Sequence, residues 1–428
     1  MTTSTATLKL QSEIPLDQEI ENIIRSSDKL TIGTRKGTEI LYGPDPRGLK
    51  ILPQPTRERL EAAGIDISKG YPSVPDKSEV PIYLDEAFAI RNDDYPYVDR
   101  GKNADPEKKA LLGAAKEVIH YTKHIGTELV GLQLADLTDK QRDELALLIG
   151  ERGVVFFREQ KLSPQKQLEL GEYYGRVEKH PQGSQVNGLR GITVIWQDYQ
   201  QQVLGSNRTF KNNNYNNFDF ARNYPGAGTQ IMHTDLVHEK TPAGITHLHL
   251  DTIPDVGGDT YWFSGYAAYD KLSEEFKKFL DGKKAVYVSA HKYLDRDDPF
   301  GGPKNIERVH PLVRTHPSTG WKSLFVNKSM TRRILGVSPV ESDIILNYLF
   351  DVYEKNADIQ VRFKWGPQKP GYGVSAIWDN RITQHKSVFD AEGRAARHGT
   401  RVTALGEVPY LDPNSKSQRE ALGLPLDE

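Results

Sequence analysis

The stretch Ile377-Trp378-Asp379-Asn380-Arg381-Ile382-Thr383-Gln384-His385 continues a strand pattern that begins at Gly373 and ends on a histidine. Its counterpart lies far upstream, where Met232-His233-Thr234-Asp235 sets an imidazole two residues before a carboxylate. Residues two apart on a strand project to the same face. His233 and Asp235 can therefore reach one metal from one short piece of backbone, and His385 can complete the set from a distant strand. Two imidazoles and one carboxylate on one side of an ion leave the opposite positions open, as a non-haem Fe(II) oxygenase requires for its co-substrate and oxygen. A lone His-x-Asp also occurs as a hydrogen-bonded pair in a loop, so the surroundings must decide.

Working outward, strand patterns recur at Gly244–Asp251, Ala285–Ser289, Ser323–Val326, Val361–Trp365 and Gly373–Trp378, interrupted by one helix over Glu341–Lys355. Upstream, Glu128–Leu134 alternates like a strand, and Thr138–Glu151 reads as an amphipathic helix capped by Thr138. Gly153–Phe157 reads as a buried strand, and Ser163 opens a helix through Tyr174. Many short strands with few helices predict a mainly β chain with flanking helices (α+β), a β-sandwich or jelly roll. Residues 1–114 are rich in proline and charge and read as an extension of loops and short helices, packed on the core or partly mobile. Residues 115–412 form the predicted domain, and 413–428 a tail. The Asn-rich stretch around 211–217, interleaved with aromatics, is expected to form a loop over the site.

Composition excludes several classes. The chain has 428 residues and a formal net charge of -2, from 56 basic and 58 acidic side chains. That balance gives no reason to expect nucleic acid or an anionic membrane as partner. The mean hydropathy is -0.60, and no window approaches the roughly 20 apolar residues that span a bilayer. The first residues lack a basic region followed by an apolar stretch, so a cytoplasmic location is expected. The absence of cysteine rules out disulfides, thiolate metal sites, Fe–S clusters and a cysteine nucleophile. Any transition metal must be held by histidine and carboxylate.

Other histidines have plainer readings. His247 and His249 share a strand face with no carboxylate at either position and read as packed or hydrogen-bonded, although His249 can approach the site. His120 and His124 have helical spacing without the glutamate of a zinc-protease helix, which suggests surface histidines. His310 and His316, each followed by proline, read as strand-end structure. Around the metal triad, Gly257-Gly258-Asp259-Thr260 offers a hydroxyl, and Arg394, Arg397 and Arg401 follow His385. A cation near a metal with open positions is what a dicarboxylate co-substrate needs.

These motifs, with His310-Pro311-Leu312-Val313-Arg314-Thr315-His316-Pro317 and Leu324-Phe325-Val326-Asn327, resemble the TauD/TfdA family of Fe(II)- and 2-oxoglutarate-dependent dioxygenases, in particular its fungal sulfonate dioxygenase-like branch. The resemblance spans roughly residues 125–410 and implies a double-stranded β-helix, or jelly roll, flanked by helices. It implies Fe(II) held by His233, Asp235 and His385, with 2-oxoglutarate and O2 as co-substrates. Thr260 and Arg397 would bind the distal carboxylate of 2-oxoglutarate. His180 and Arg401 match positions that hold a sulfonate, and Thr229, Leu236 and Met330 fall at further substrate-side positions. Gly183, Thr229, Met232 and Met330 depart from the taurine enzyme's pattern, which points to a different substrate.

Three functions follow as expectations. The first is hydroxylation of a small anionic molecule, a sulfonate such as taurine, releasing sulfite and a carbonyl product beside succinate and CO2. The second is the same chemistry on an amino acid or specialised metabolite. The third is a non-catalytic metal-binding jelly roll. A small-molecule partner, and a homo-oligomer, complete the expectations.

Overall fold

A computed structural model describes residues 15–29, 42–75, 85–180, 183–204, 232–293, 298–302, 304–388, 390–391 and 396–425. Its strands are β1 (Tyr42–Pro44), β2 (Ser73–Pro75), β3 (Glu117–His120), β4 (Thr127–Val130), β5 (Val154–Gln160), β6 (Gln185–Val186), β7 (Leu189–Trp196), β8 (Ala243–Thr252) and β9 (Thr260–Ser264). They continue with β10 (Lys284–Tyr293), β11 (Lys304–Pro311), β12 (Val313–Thr315), β13 (Lys322–Leu324), β14 (Thr331–Ile334), β15 (Gln360–Phe363), β16 (Gly373–Asp379), β17 (Thr383–Ser387) and β18 (His398–Leu405).

Ten strands form a main sheet in the order β1-β2-β6-β7-β18-β8-β16-β5-β4-β3, antiparallel except between β4 and β5. A smaller sheet, β15-β9-β17, faces it. Aromatic rings join the two. Phe156 of β5 stacks on Phe363 of β15 at 3.9 Å. Trp262 of β9 packs edge-on to Phe156 at 5.3 Å and to Trp378 of β16 at 5.7 Å. All four rings are buried, and burial of each contributes on the order of 1.5–3 kcal/mol. The fold is thus sheet-dominated, with more helix than the strand pattern suggests.

Every residue of β8 is buried, because both faces of the sheet are covered. Leu248 and Leu250 enter the aromatic core. His247, His249 and Asp251 lie on the other face, under the helices Gln54–Ala62 and Pro164–Tyr174. His247 Nε2 and His249 Nδ1 both meet Ser375 Oγ, at 3.0 and 2.9 Å, so these two are hydrogen-bonded core residues.

Local sequence rules account for most boundaries. Thr138 and Ser163 cap the helices Asp139–Arg152 and Pro164–Tyr174. The helix expected from Glu341 begins at Pro339 instead, since Ser338 caps it in a capping box with Glu341, and proline suits a first helical turn. The strand expected through Leu134 stops at Val130, where Gly131 takes a φ of +83° and the chain turns. His120 and His124 are not on a helix: His120 ends β3, and the chain turns back into β4.

The described upstream residues are built into the sheet. β1 and β2 extend it through β6, and Thr56 and Arg59 donate to Asp251 at 2.7 and 2.9 Å. Downstream, Arg419 N–H donates to Asp270 at 3.2 Å. Residues 1–14, the 211–217 loop, Arg394 and Thr229 lie outside the described residues.

Segments upstream and downstream of the core meet at Arg381, which is 1% exposed. Its guanidinium pairs with Asp379, Asp99 and Glu407, and Asp379 also meets His316 Nε2 at 3.0 Å. Burial acts to raise the Asp379 carboxyl, but the charges of Arg381 and His316 outweigh it and hold it far below the ordinary range. Removing Arg381 would take the guanidinium from the buried carboxylates of Asp379 and Asp99, leaving His316 and Ser318 to meet them alone, while Glu407 keeps Arg314. Arg381→Met should cost about 3–5 kcal/mol, read as a lower urea midpoint; an unchanged midpoint would contradict the assigned role.

Burial also pushes the His247 and His310 imidazoles down to about 3. The unfolded chain therefore binds more protons between that value and the ordinary value near 6.5, so stability must fall as pH drops through this window. Urea midpoints should be flat just above pH ~6.5 and decline toward pH ~3, with a shallower decline in His247→Gln. An equally steep decline in that variant would remove His247 from the explanation.

Candidate metal centre

Backbone hydrogen bonds bring the proposed ligands together. His233 N–H donates to His385 O at 3.1 Å, and His385 N–H donates to His233 O at 2.9 Å, forming an isolated antiparallel bridge. Thr234 Oγ1 donates to Thr383 O at 3.0 Å, and Asp235 N–H donates to Asn380 Oδ1 at 3.3 Å. Asn380 is fixed in turn, its Nδ2 donating to Gly244 O at 3.0 Å and Thr246 Oγ1 at 2.8 Å. The turn after β16 and the strand β17 that follows it thus hold each residue of His233-Thr234-Asp235.

One expectation needs correction. His233 and Asp235 do not sit on a continuous strand: the chain makes a single bridge at His233 and turns at Asp235. Leu236 adopts a φ of +58° there, a left-handed conformation rare for a branched side chain. The two side chains still converge. His233 Nε2 lies 3.7 Å from Asp235 Oδ1, and the rings of His233 and His385 have centroids 4.3 Å apart. One donor atom from each of His233, Asp235 and His385 lies within 4.8 Å of the others, the one such group among the described residues.

Electrostatics put the donors in their binding forms. Burial acts to raise the Asp235 carboxyl, but Arg401, His385, His233 and His180 bring it down to about 2, so it is ionised. Burial, helped by His233, pushes His385 down to about 3, so its imidazole is neutral. A neutral imidazole and a carboxylate, without thiolate, suit a divalent first-row metal such as Fe(II).

Of the remaining expected residues, Arg401 and His180 act on Asp235, and Thr260 shares a sheet face with His385. In the smaller sheet His385 pairs with Trp262 and Ser387 with Thr260, so Thr260 and His385 share a face. Thr260 Oγ1 accepts from Trp365 Nε1 at 3.1 Å. Arg397 stands just before β18 with its guanidinium 5.9 Å from the Trp365 ring centroid, and its Nε donates to Gly258 O at 3.2 Å. Arg401, within β18, points its Nη1 at both Asp235 oxygens, at 3.4 and 3.5 Å. These are long for a charge-assisted pair, which settles near ~2.8 Å. His180 is near enough for its charge to act on Asp235, and Leu236 adjoins the triad in sequence. Met330 is buried in the apolar cluster that also holds Met232.

His310 and His316 are buried, on Glu239 O and Asp379 respectively. His249 stays on the far face of the main sheet. Sequence reasoning missed two groups of positioning residues. One is Asn380, whose signal was its place within the 377–385 stretch. The other is the tryptophan set Trp262, Trp365 and Trp378, of which Trp378 packs 4.9 Å from His385; lone tryptophans carry no spacing signal.

Comparison with known proteins agrees with this geometry. The family described as "Taurine catabolism dioxygenase TauD, TfdA family" matches residues 117–403. A Schizosaccharomyces pombe protein, provisionally named an alpha-ketoglutarate-dependent sulfonate dioxygenase, is 36% identical over 81% of this chain and 83% of its own. An alpha-ketoglutarate-dependent dioxygenase of Penicillium expansum is 34% identical over 74% of this chain and 85% of its own. The crystal structure of a taurine dioxygenase from Burkholderia xenovorans superposes with a TM-score of 0.55 at 30% identity, covering 70% of this chain and 92% of that one. No helix among the described residues is long and apolar enough to cross a membrane. A shared family region of this extent, with an intact His-Asp-His cluster at its centre, makes the chain a member of the TauD/TfdA family and an alpha-ketoglutarate-dependent (2-oxoglutarate-dependent) dioxygenase.

Proposed function

We propose that this chain holds Fe(II) through His233, Asp235 and His385 in a jelly-roll core, and hydroxylates a small anionic substrate. A sulfonate such as taurine is the favoured class, its products sulfite and a carbonyl compound beside succinate and CO2. The observation that carries the reading is the Arg401 guanidinium beside the Asp235 carboxylate, a cation at the edge of a metal site. Bound Fe(II) would supply the oxygen-activating chemistry that the family's co-substrate serves.

The chain's own residues set the geometry. Thr260 already accepts a hydrogen bond from Trp365, which leaves its hydroxyl proton to donate to a carboxylate oxygen. Arg397, held by Gly258 O, would grip the same distal carboxylate of 2-oxoglutarate. Arg401 has only a loose pair with Asp235, so it can turn toward an arriving anion, and His180 acts on the same carboxylate. Trp262, Trp365 and Trp378 keep water from the His385 side of the site.

A second reading keeps the chemistry and changes the substrate to an amino acid or specialised metabolite. The Penicillium expansum relative, whose name specifies no sulfonate, favours it. Assaying succinate release over sulfonates, amino acids and aryloxy acids decides between them: sulfite release supports the first reading, and turnover of amino acids alone transfers the assignment to the second. Asp235→Ala should abolish turnover. Arg401→Ala should raise the substrate KM about 10- to 100-fold with little change for 2-oxoglutarate, and Arg397→Ala should do the reverse. Equal losses for both ligands in both variants would undo this division of roles.

A further inference from the structure

A cavity lies on the outer face of the main sheet, away from the metal centre. It encloses about 420 Å³ between the helix Gln54–Ala62 and the ends of β5, β8 and β16, within the roughly 300–1,000 Å³ range of small-molecule sites. One wall, around Pro55 and Ala62, comes from upstream of the residues that match the family.

The polar group at its floor is His249, 1% exposed. Its Nδ1 meets Ser375 Oγ, while its Nε2 has no hydrogen-bond partner among the described residues. A glycine makes room for that edge: a Cβ at Gly373 would stand 2.4 Å from His249 Nε2. Burial keeps His247 and His249 neutral, so each ring carries one N–H. His247 Nδ1 is buried without a partner, and an orphaned N–H is rarer there than an orphaned acceptor. His247 therefore donates through Nε2 to Ser375, and Ser375 donates to His249 Nδ1. His249 then presents an N–H to the cavity, as a hydrogen-bond donor.

Four charged side chains line the wall: Asp251 pairs with Arg59, Glu58 accepts from Gln54 Nε2 at 2.9 Å, and Lys161 is left to meet an acceptor ligand. Arg59 is consumed by Asp251, Leu162 O and Thr400. Lys161 is exposed at the rim, 5.0 Å from the Tyr372 ring centroid, and makes no ion pair among the described residues. Pro55, Ala62 and Leu162 supply apolar surface.

We propose that this cavity binds a small carboxylate with an apolar body, one oxygen accepting from His249 Nε2–H and Lys161 supplying the countercharge. Benzoate is a suitable probe, titrated by calorimetry into the full-length protein and by NMR into protein labelled with 15N-histidine, with and without 2-oxoglutarate. The expected result is saturable binding at about millimolar concentration that shifts the His249 ring nitrogens and is insensitive to 2-oxoglutarate. Affinity should fall about tenfold or more in His249→Phe and, independently, in Ala62→Leu, which fills the cavity from its exposed lip. No saturable binding, unchanged affinity in both variants, or displacement of benzoate by 2-oxoglutarate would each overturn the proposal.

Discussion

The pair of backbone hydrogen bonds between His233 and His385 is the constraint on which the site depends. It ties two segments far apart in sequence at the residues that carry the imidazoles. Because main-chain groups make the bridge, its register places both rings on one side without help from a metal. Thr234 and Asp235 add bonds to the start of β17 and to the turn before it, through Thr383 O and Asn380. A site organised this way has its ligand backbone ordered in advance, which lowers the entropy cost of closing the segment around an ion.

That bridge needs a rigid support, and the two facing sheets provide it. His385 lies on β17, held against β9, whose Trp262 is anchored in the aromatic core by Phe156 and Trp378. The turn that supplies Asn380 begins at the end of β16, and Asp379 and Arg381 lock it to Asp99 upstream and Glu407 downstream. A buried cation surrounded by three carboxylates is costly to break on either side. The metal triad is thus backed by an apolar layer on one flank and a charge network on the other.

The candidate ligands were legible in the sequence because their chemistry is local: an imidazole and a carboxylate two residues apart, and a histidine ending a strand motif. The helix starts at Thr138 and Ser163 were legible for the same reason, since a cap is written within four residues. The reason His233 and Asp235 converge was not legible, because it lies in a single bridge and a left-handed Leu236 rather than in strand alternation. Nor was the contribution of β1 and β2 to the main sheet, which rests on long-range pairing of three-residue strands in a proline-rich segment. The position of Arg401 against Asp235 equally depends on which face of β18 meets the turn.

Co-substrate and substrate differ in how far the chain specifies them. Family membership and the placement of Thr260 and Arg397 bear on 2-oxoglutarate; the proposed substrate side rests chiefly on Arg401 and His180, which would recognise charge rather than a particular molecule. The most direct test of the central claim is anaerobic addition of Fe(II) and then 2-oxoglutarate, followed in the visible spectrum. A His-Asp-His iron site with open positions predicts a weak charge-transfer band that saturates at a single Fe(II) per chain. Absence of that band with both present in excess would contradict it.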